Sequence, residues 1–362
     1  MQQNPRMFGG YYQVAQVIST GPLLTIYTAY HHYSSDKVGL YVVELPPTVD
    51  EEAVERHLHV FEKRRLVNSR HVIHIYDWGV DDGSAFIAAD PPLGVTLRHV
   101  LETENLEIER ALDLACQMAR GLVALQAQGI VGIDMRPQLI TVSMVGENYQ
   151  AQLDDIGLRL LLKQLGYMNS QPGGDIGYLD PRYAAPESLQ NRSIDASTDV
   201  YQLGLLIYEM IANRVPFVGR TPADTEFMQC QNPLPPITLY APDTPQALQY
   251  LLERALAKDP AQRFPNAAAL LQALENLRIG TEAPFVMASG GGDGGEMRDD
   301  DEKETVESES VNDDVGTIVP ALLDTSSFNT DVEGALAYLY FEAEDEGAIS
   351  QRFAIKSNYA IV

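Results

Sequence analysis

The sequence predicts an α+β fold in which a small strand-rich lobe precedes a larger helical lobe. Two observations support it: short segments rich in Tyr, Val, Ile and Thr dominate residues 11–45, and long helical patterns dominate from residue 106 onward. A third observation bounds the folded part, because Gly and acidic residues replace these patterns after residue 280. We therefore predict a folded domain over residues 1–280, an acidic Gly-rich linker over 281–316, and a short C-terminal segment over 317–362 with β-like patterns.

The small lobe, about residues 8–90, is predicted from strands and one helix. Its strand patterns are separated by turn residues and cover 11–18, 23–31, 38–45 and 85–89. A charged amphipathic segment at 51–68 fits a helix that follows the third strand. Gly21 marks the turn between the first two strands.

The large lobe, about residues 91–280, is predicted from helices. Residues 106–128 repeat apolar side chains at the spacing of one buried helix face. The helix that opens at Asp199 is apolar on nearly every side, so we expect it in the centre of the lobe. A final helix at 266–277 closes the domain.

Two loops in the middle of the chain carry the most informative motifs. The first reads G-I-V-G-I-D-M-R-P-Q-L-I from Gly129, and the second reads L-D-D-I-G and ends at Gly157. They resemble the H-R-D-x-K-P-x-N-I and D-F-G loops of the protein kinases. The motifs A-P-E, D-V-Y-Q-L-G and L-A-K-D-P-A-Q-R-F follow at the family's spacings, so the resemblance covers about residues 8–280. It implies the bilobal protein-kinase-like fold of the bacterial serine/threonine kinases.

The resemblance also implies a phosphoryl-transfer site with ATP and Mg²⁺ as cofactors. Asp134 stands at the position of the catalytic aspartate, and Arg136 stands at the position of the lysine two residues later. Asp155 stands where the family has its magnesium-binding aspartate. Gly21 keeps one glycine of the loop whose backbone amides cover the phosphates. The candidate catalytic residues are therefore Asp134 and Arg136, and the candidate cofactor-binding residues are Gly21 and Asp155, with Asp155 also the candidate Mg²⁺ ligand.

Several positions depart from the family's pattern, and most of them would contact the nucleotide. Tyr41 replaces the lysine of the third strand, which pairs with phosphates in the family; a tyrosine is neutral near pH 7. Leu139 replaces the asparagine that holds a second metal ion, and Ile156 replaces the phenylalanine of D-F-G. Ser19 and Leu24 replace two glycines of the phosphate loop.

The positions that serve the large lobe are kept. Glu187, Asp199, Gly204 and Arg263 all match the family's pattern. The resemblance implies that Arg263 pairs with Glu187 and that Asp199 braces the catalytic loop.

The positions that would contact the nucleotide are mostly replaced, whereas those that serve the large lobe are kept. We interpret this pattern as the mark of a pseudokinase, a binding or scaffolding module in serine/threonine kinase signalling. Asp134 and Asp155 would then survive as hydrogen-bond acceptors that shape their loops. The alternatives are a divergent active kinase that uses both aspartates, and a nucleotide sensor that binds ATP without catalysis. The spacing does not fix the glutamate of the small-lobe helix: the position falls near Val60, and Glu62 lies two residues away.

The net charge of −26 is unevenly distributed, since 19 acidic and only 4 basic residues follow residue 280. A chain this acidic lacks the basic surface that nucleic acids or anionic membranes require, so we expect neither as the main partner. We expect instead a protein partner, either a kinase or its substrate. We find no signal-peptide pattern and no apolar run of 18 residues, which predicts a cytoplasmic protein without a membrane span.

The cysteines and histidines have ordinary interpretations. Cys116 and Cys230 lie in apolar helical patterns, which predicts buried thiols in a reducing compartment. Four histidines lie close together in the chain without a frame of Cys or carboxylate ligands, so we predict no metal site there: His57, His59, His71 and His74.

Overall fold

The computed structural model describes residues 6–21, 24–45, 54, 58, 60–146, 148–157 and 179–279. All of them belong to the first of two compact units, Met1–Met287; the second unit is Ala288–Val362. The predicted linker at 281–316 and the predicted C-terminal segment at 317–362 lie outside the described residues.

The small lobe is built on a six-stranded antiparallel sheet with the order β1-β2-β3-β4-β6-β5. Its strands are β1 (Met7–Phe8), β2 (Tyr12–Thr20), β3 (Leu24–His31), β4 (Lys37–Glu44), β5 (Ile75–Asp81) and β6 (Ser84–Ala89). The four predicted strands are confirmed with ends shifted by one or two residues. Strands β1 and β5 were not predicted.

Strand β4 lies in the interior of the sheet and is buried on both faces. Leu40 and Val42 pack on one face with Phe86. Tyr41 and Val43 point to the other face, where they join a second apolar cluster. Because side chains alternate along a strand, the register of β4 decides that position 41 faces the second cluster.

Helix α1 (Val60–Arg65) packs on that second face. The described part of the predicted 51–68 helix ends at Arg65, three residues early. Phe61 is fully buried against the sheet, whereas Glu62 lies on the exposed side of the helix.

The large lobe contains seven helices among the described residues, together with a three-stranded sheet of order β7-β8-β9. The helices are α2 (Leu97–Thr103), α3 (Ile108–Ala127), α4 (Pro186–Leu189), α5 (Ala196–Ala212), α6 (Pro222–Gln231), α7 (Gln246–Ala255) and α8 (Ala267–Ile279). The strands are β7 (Val95–Thr96), β8 (Ile140–Val145) and β9 (Asn148–Leu153). The predicted helices at 106–128 and 266–277 correspond to α3 and α8, whereas α2 and the β8–β9 hairpin were not predicted.

Helix α5 is buried along most of its length, as its apolar sequence predicts. The helix begins before the predicted Asp199, because Asp195 caps it and forms a reciprocal capping box with Thr198. It ends at Asn213, which adopts a left-handed conformation (φ 51°). Asp199 therefore lies in the first turn of α5, where it can reach the loop after α3.

The two cysteines differ in burial. Cys116 is buried in α3, as predicted, but Cys230 is only half-buried because α6 lies at the surface of the lobe. In the described part of the chain, no group of His, Cys, Asp or Glu side chains is arranged to hold a metal ion. No helix among those residues has both the length and the apolarity needed to cross a bilayer.

Candidate active site

The loop that carries Asp134 runs from the end of α3 to β8 and is fixed by Asp199. The Asp199 carboxylate accepts hydrogen bonds from the Gly132 and Ile133 backbone amides, at 2.8 and 3.2 Å, and from the Gln126 side-chain amide at 3.0 Å. Burial raises the pKa of Asp199 to about 7 even though these hydrogen bonds favour the charged form. The predicted bracing of the loop by Asp199 is confirmed.

Gly132 occupies a position in the loop that favours glycine. Its φ is +69°, and a Cβ atom there would require the tip of the Ile194 side chain to shift. The loop path therefore depends on the glycine that stands where the family has its histidine.

Asp134 is buried and paired with Arg136 two residues later. The Arg136 Nε and Nη2 groups donate hydrogen bonds to the two Asp134 carboxylate oxygens, with an Nη2–Oδ2 distance of 2.8 Å, and the Arg136 backbone amide lies 3.3 Å from Oδ1. Both side chains are less than 10% exposed. Both carboxylate oxygens are thus engaged, and an incoming hydroxyl would have to displace Arg136 to reach Asp134.

Asp155 lies at the start of the second loop and is also paired with an arginine. Its Oδ1 accepts a hydrogen bond from the Gly157 amide at 2.8 Å, and its Oδ2 accepts one from the Asp134 amide at 3.1 Å. Arg64 of α1 approaches the same Oδ2 at 3.2 Å and also donates a hydrogen bond to the Asp155 carbonyl oxygen. The site therefore brings the predicted Asp134 and Asp155 together, and it adds Arg64, which the sequence analysis missed.

Tyr41 extends into the apolar cluster between the sheet and α1 rather than into open space. It is 7% exposed and shares the cluster with Phe61 and with Ile156, which follows Asp155 directly. Burial raises the pKa of the Tyr41 hydroxyl, and the Asp154 and Asp90 carboxylates raise it further. Tyr41 is therefore neutral throughout the ordinary pH range.

Asp154, which precedes Asp155, has a different environment. Its Oδ2 accepts a hydrogen bond from the Thr141 hydroxyl, whereas its buried Oδ1 has no hydrogen-bond partner within the described structure. Burial raises its pKa to about 7, the Thr141 hydrogen bond lowers it, and the Asp90 carboxylate raises it. Asp155 is thus paired with the Arg64 guanidinium, whereas Asp154 has no such cation among the described residues.

The remaining predicted positions lie at the edges of the site. The Gly21 amide donates its hydrogen to the Leu24 carbonyl at 2.8 Å, so it closes the β2–β3 hairpin. Leu139 ends a short 3₁₀ turn (Pro137–Leu139) and offers no oxygen or nitrogen ligand from its side chain.

The segment that joins the lobes, residues 90–94, passes close against β4. A Cβ atom at Gly39 would lie 2.9 Å from the Asp90 carbonyl oxygen and 3.3 Å from Pro92 Cδ. Pro91 and Pro92 have no backbone N–H group, so this stretch cannot donate backbone hydrogen bonds at either position.

The retained large-lobe residues form the contacts that the resemblance implies. The Arg263 Nη1 and Nη2 groups bind the two Glu187 carboxylate oxygens at 2.7 and 2.9 Å, and neither side chain is more than 2% exposed. Burial alone would raise the pKa of Glu187, but Arg263 and the Thr198 hydroxyl outweigh it and the pKa is lowered. Gly204 allows α5 to approach Leu256, because a Cβ atom there would lie 3.1 Å from that side chain.

Comparison with known proteins gives a consistent assignment. The profile of the protein kinase domain matches residues 12–274. A probable serine/threonine-protein kinase of Clostridium acetobutylicum is 26% identical over 270 residues, which cover 74% of this chain and 40% of that protein. The serine/threonine-protein kinase PknB of Mycolicibacterium smegmatis is 25% identical over 291 residues, which cover 78% of this chain and 46% of that protein. The chain thus spans less than half the length of these curated relatives.

Solved structures show the same fold. The kinase domain of Mycobacterium tuberculosis PknI has a TM-score of 0.58 at 23% identity, covering 76% of this chain and 99% of that domain. A single mutant of that domain has a TM-score of 0.59 at 22% identity and covers 77% of this chain and 99% of its own.

Proposed function

The chain belongs to the protein kinase family, and from that premise we propose that it is a pseudokinase of the bacterial serine/threonine type. Its body has the bilobal fold of the family, with a sheet-based small lobe and a helical large lobe. In this proposal the protein transfers phosphate poorly or not at all, and it works by binding a protein partner, either a kinase or its substrate.

The position of Tyr41 is the observation that carries the proposal. Kinases place a lysine there, which neutralises phosphate charge during transfer. Tyr41 is neutral, buried, and packed with Ile156 in an apolar cluster. A triphosphate placed beside it would lack that neutralising charge.

The described residues do not fit a magnesium–ATP complex in their present arrangement. Both oxygens of Asp155 already accept hydrogen bonds, and Leu139 supplies no second metal ligand. The Gly21 amide is committed to its hairpin, and Pro91 and Pro92 have no amide hydrogens to offer an adenine ring.

The magnitude of the expected loss follows from the number of missing contacts. Removing one oriented electrostatic contact from an active site commonly lowers the rate by about 10²–10³. The strand-three cation, the second metal ligand and most of the phosphate loop are all missing here. Even if these losses are not additive, we expect turnover far below that of a working kinase.

The retained contacts support a binding role. The Glu187–Arg263 pair and the bracing of the catalytic loop by Asp199 keep the large lobe in one arrangement. A module of this kind presents a preformed surface without needing catalysis, and association with a preformed surface has a lower entropic cost than binding that requires ordering.

The survival of Asp134 and Asp155 favours a second candidate, a divergent kinase or a nucleotide sensor. In either case Arg64 and Arg136 would have to leave the carboxylates before a metal or an acceptor hydroxyl could approach. The two aspartates lie close together, since the Asp134 backbone amide donates a hydrogen bond to Asp155 Oδ2 at 3.1 Å.

Phosphoryl transfer from γ-labelled ATP to the protein itself and to a generic acceptor protein tests the proposal. The unmodified chain, Asp134→Asn and Asp155→Asn should give the same background signal. A signal from the unmodified chain at least tenfold above both variants would contradict the pseudokinase proposal. The double variant Tyr41→Lys/Leu139→Asn restores the lysine and the asparagine of the family's pattern. Its phosphorylation signal should exceed the background only if the absence of these two side chains limits the reaction.

A thermal-unfolding experiment separates the sensor from the scaffold. A ligand at a hundredfold excess over its Kd stabilises the folded state by about 2.7 kcal/mol. We expect no shift at millimolar ATP, with or without Mg²⁺. A magnesium-dependent shift that Asp155→Asn abolishes would establish the sensor instead.

A further inference from the structure

The small-lobe helix supplies a cation to a carboxylate that the kinases use for metal binding. Arg64 lies in the last turn of α1 and is 7% exposed, and Asp155 is 8% exposed. The pair joins two elements that are 91 residues apart in sequence. Burying two charges lowers the stability of the folded state unless the charges are well paired. The Arg64–Asp155 contact provides that pairing.

The guanidinium is held in place from several directions. One nitrogen lies 3.2 Å from Asp155 Oδ2, and another donates to the Asp155 carbonyl oxygen. Phe61, three residues earlier in α1, is fully buried on the same side of the helix and anchors it to the sheet. Arg64 therefore approaches the loop on a rigid element rather than on a mobile side chain alone.

Gly157 makes room for this cation. Its φ is +79°, and a Cβ atom there would lie 3.0 Å from Arg64 Nε. The glycine also donates its amide to Asp155 Oδ1 at 2.8 Å. The loop thus accommodates the guanidinium and the carboxylate at the same time.

The contacts occupy most of the acceptor sites of Asp155, and Arg64 already neutralises its charge. Its Oδ1 accepts the Gly157 amide, and its Oδ2 accepts both the Asp134 amide and Arg64. A magnesium ion binds carboxylate oxygens at about 2.0–2.1 Å, so an ion on Oδ2 would have to displace the guanidinium. Arg64 supplies positive charge at this carboxylate permanently, with no ion to bind or release.

We propose that Arg64 is a built-in substitute for the metal ion at Asp155. It neutralises the carboxylate and ties α1 of the small lobe to the loop at 154–157 of the large lobe, independently of nucleotide and metal. Arg64 is a positioning residue in this role. This role goes beyond the proposed function and is tested by stability measurements. A result that contradicts it would leave the pseudokinase proposal standing, and the reverse also holds.

The test compares thermal unfolding of the full chain in EDTA and in millimolar MgCl₂. The variants are Arg64→Met, Arg64→Lys, Asp155→Asn and the double variant Arg64→Met/Asp155→Asn. Arg120→Met is the matched control, because Arg120 forms a 2.8 Å ion pair with Glu275 at the surface. The unmodified chain should unfold at the same temperature in both solutions, and Arg120→Met should resemble it.

Arg64→Met leaves a buried carboxylate without its cation, so its Tm in EDTA should fall by roughly 6–15 °C. Mg²⁺ should recover several degrees of that loss, because the freed carboxylate can now bind the ion. Arg64→Lys keeps a charge but loses the planar geometry, so its Tm should fall less. The double variant should lose less than the sum of the two single variants, because it removes both charges.

Four results would overturn the proposal. The first is a Tm for Arg64→Met equal to that of the unmodified chain. The second is additive losses in the double variant, which would mean that Arg64 contributes packing only. The third is a Mg²⁺ shift in the unmodified chain, and the fourth is no gain of Mg²⁺ response in Arg64→Met. If Arg64→Met does not fold, recovery of folding in the double variant supports the proposal, and failure of both variants to fold contradicts it.

Discussion

Replacing Asp154 by asparagine should stabilise the protein at neutral and higher pH and leave its stability unchanged below about pH 4. The Asp154 carboxylate has one oxygen bonded to Thr141 and one buried oxygen without a partner in the described structure. Ionisation at this site is therefore unfavourable, and burial raises the pKa from 3.8 to about 7. The asparagine has the same shape and carries no charge at any pH.

The sign and size of the effect follow from this pKa. Because the folded state holds the Asp154 proton more tightly than the unfolded state, the stabilisation is fully present below about pH 4. It is lost as the pH rises through about 7. A difference of about three pKa units corresponds to about 4 kcal/mol at full deprotonation, as an upper bound.

Urea unfolding between pH 5 and pH 8.5 measures the effect. The pKa of Asp199 is also raised to about 7, so the unmodified chain should lose stability for two reasons over this interval. The difference between the unmodified chain and Asp154→Asn isolates the contribution of Asp154. In favour of the variant, it should already be present at pH 5, grow up to about pH 7 and stay constant above that. Parallel pH profiles for the two proteins would refute the reasoning.

Two further predictions concern the large lobe and use controls from the same chain. Arg263→Met should lower stability by about 3–5 kcal/mol, because it leaves the buried Glu187 carboxylate without its cation. Arg278→Met, which breaks a half-exposed ion pair, should cost less than 1 kcal/mol in the same urea experiment. Gly132→Ala should destabilise the chain more than Gly146→Ala, since both glycines have positive φ but, of the two, only Gly132 would also need the Ile194 side chain to shift. Equal losses for the two alanine variants would show that backbone conformation alone sets the cost.

Much of the site could be predicted because its residues belong to motifs with fixed spacing. The places of Asp134 and Asp155 follow from their loops, and the structure brings them within one hydrogen bond of each other. The partners Glu187 and Arg263 follow from two motifs that are far apart in sequence but paired in the fold. Spacing within a motif fixes local geometry, and known pairings between motifs then fix part of the tertiary structure.

Arg64 could not be identified in this way. It lies in a run of three basic residues at the end of a charged helix, and such runs usually face solvent. The available signal was its position three residues after Phe61, which places it beside a buried apolar side chain. Only the tertiary structure reveals that a carboxylate 91 residues away meets it there.

The missed hairpin has a different cause. Residues 140–153 contain two strands around a turn at Gly146, which has a positive φ. The loops on either side carry the motifs, and the sequence analysis makes no prediction for the segment between them. Alternation of side chains in this stretch was available in the sequence and would have predicted both strands.

The joining segment at 90–94 has a mechanical consequence. Two consecutive prolines fix two backbone φ angles in the segment through which the chain passes from one lobe to the other, and Gly39 brings this segment directly against β4. Proteins that open and close around a ligand need a few residues that absorb large changes in backbone angles at such a point. These two φ angles cannot take part in such a change, so any relative movement of the lobes has to use the remaining backbone angles of the segment, among them those of Gly94. A partner that recognises both lobes would then meet a narrower range of lobe separations, and its rate of association should depend less on a preceding closure step.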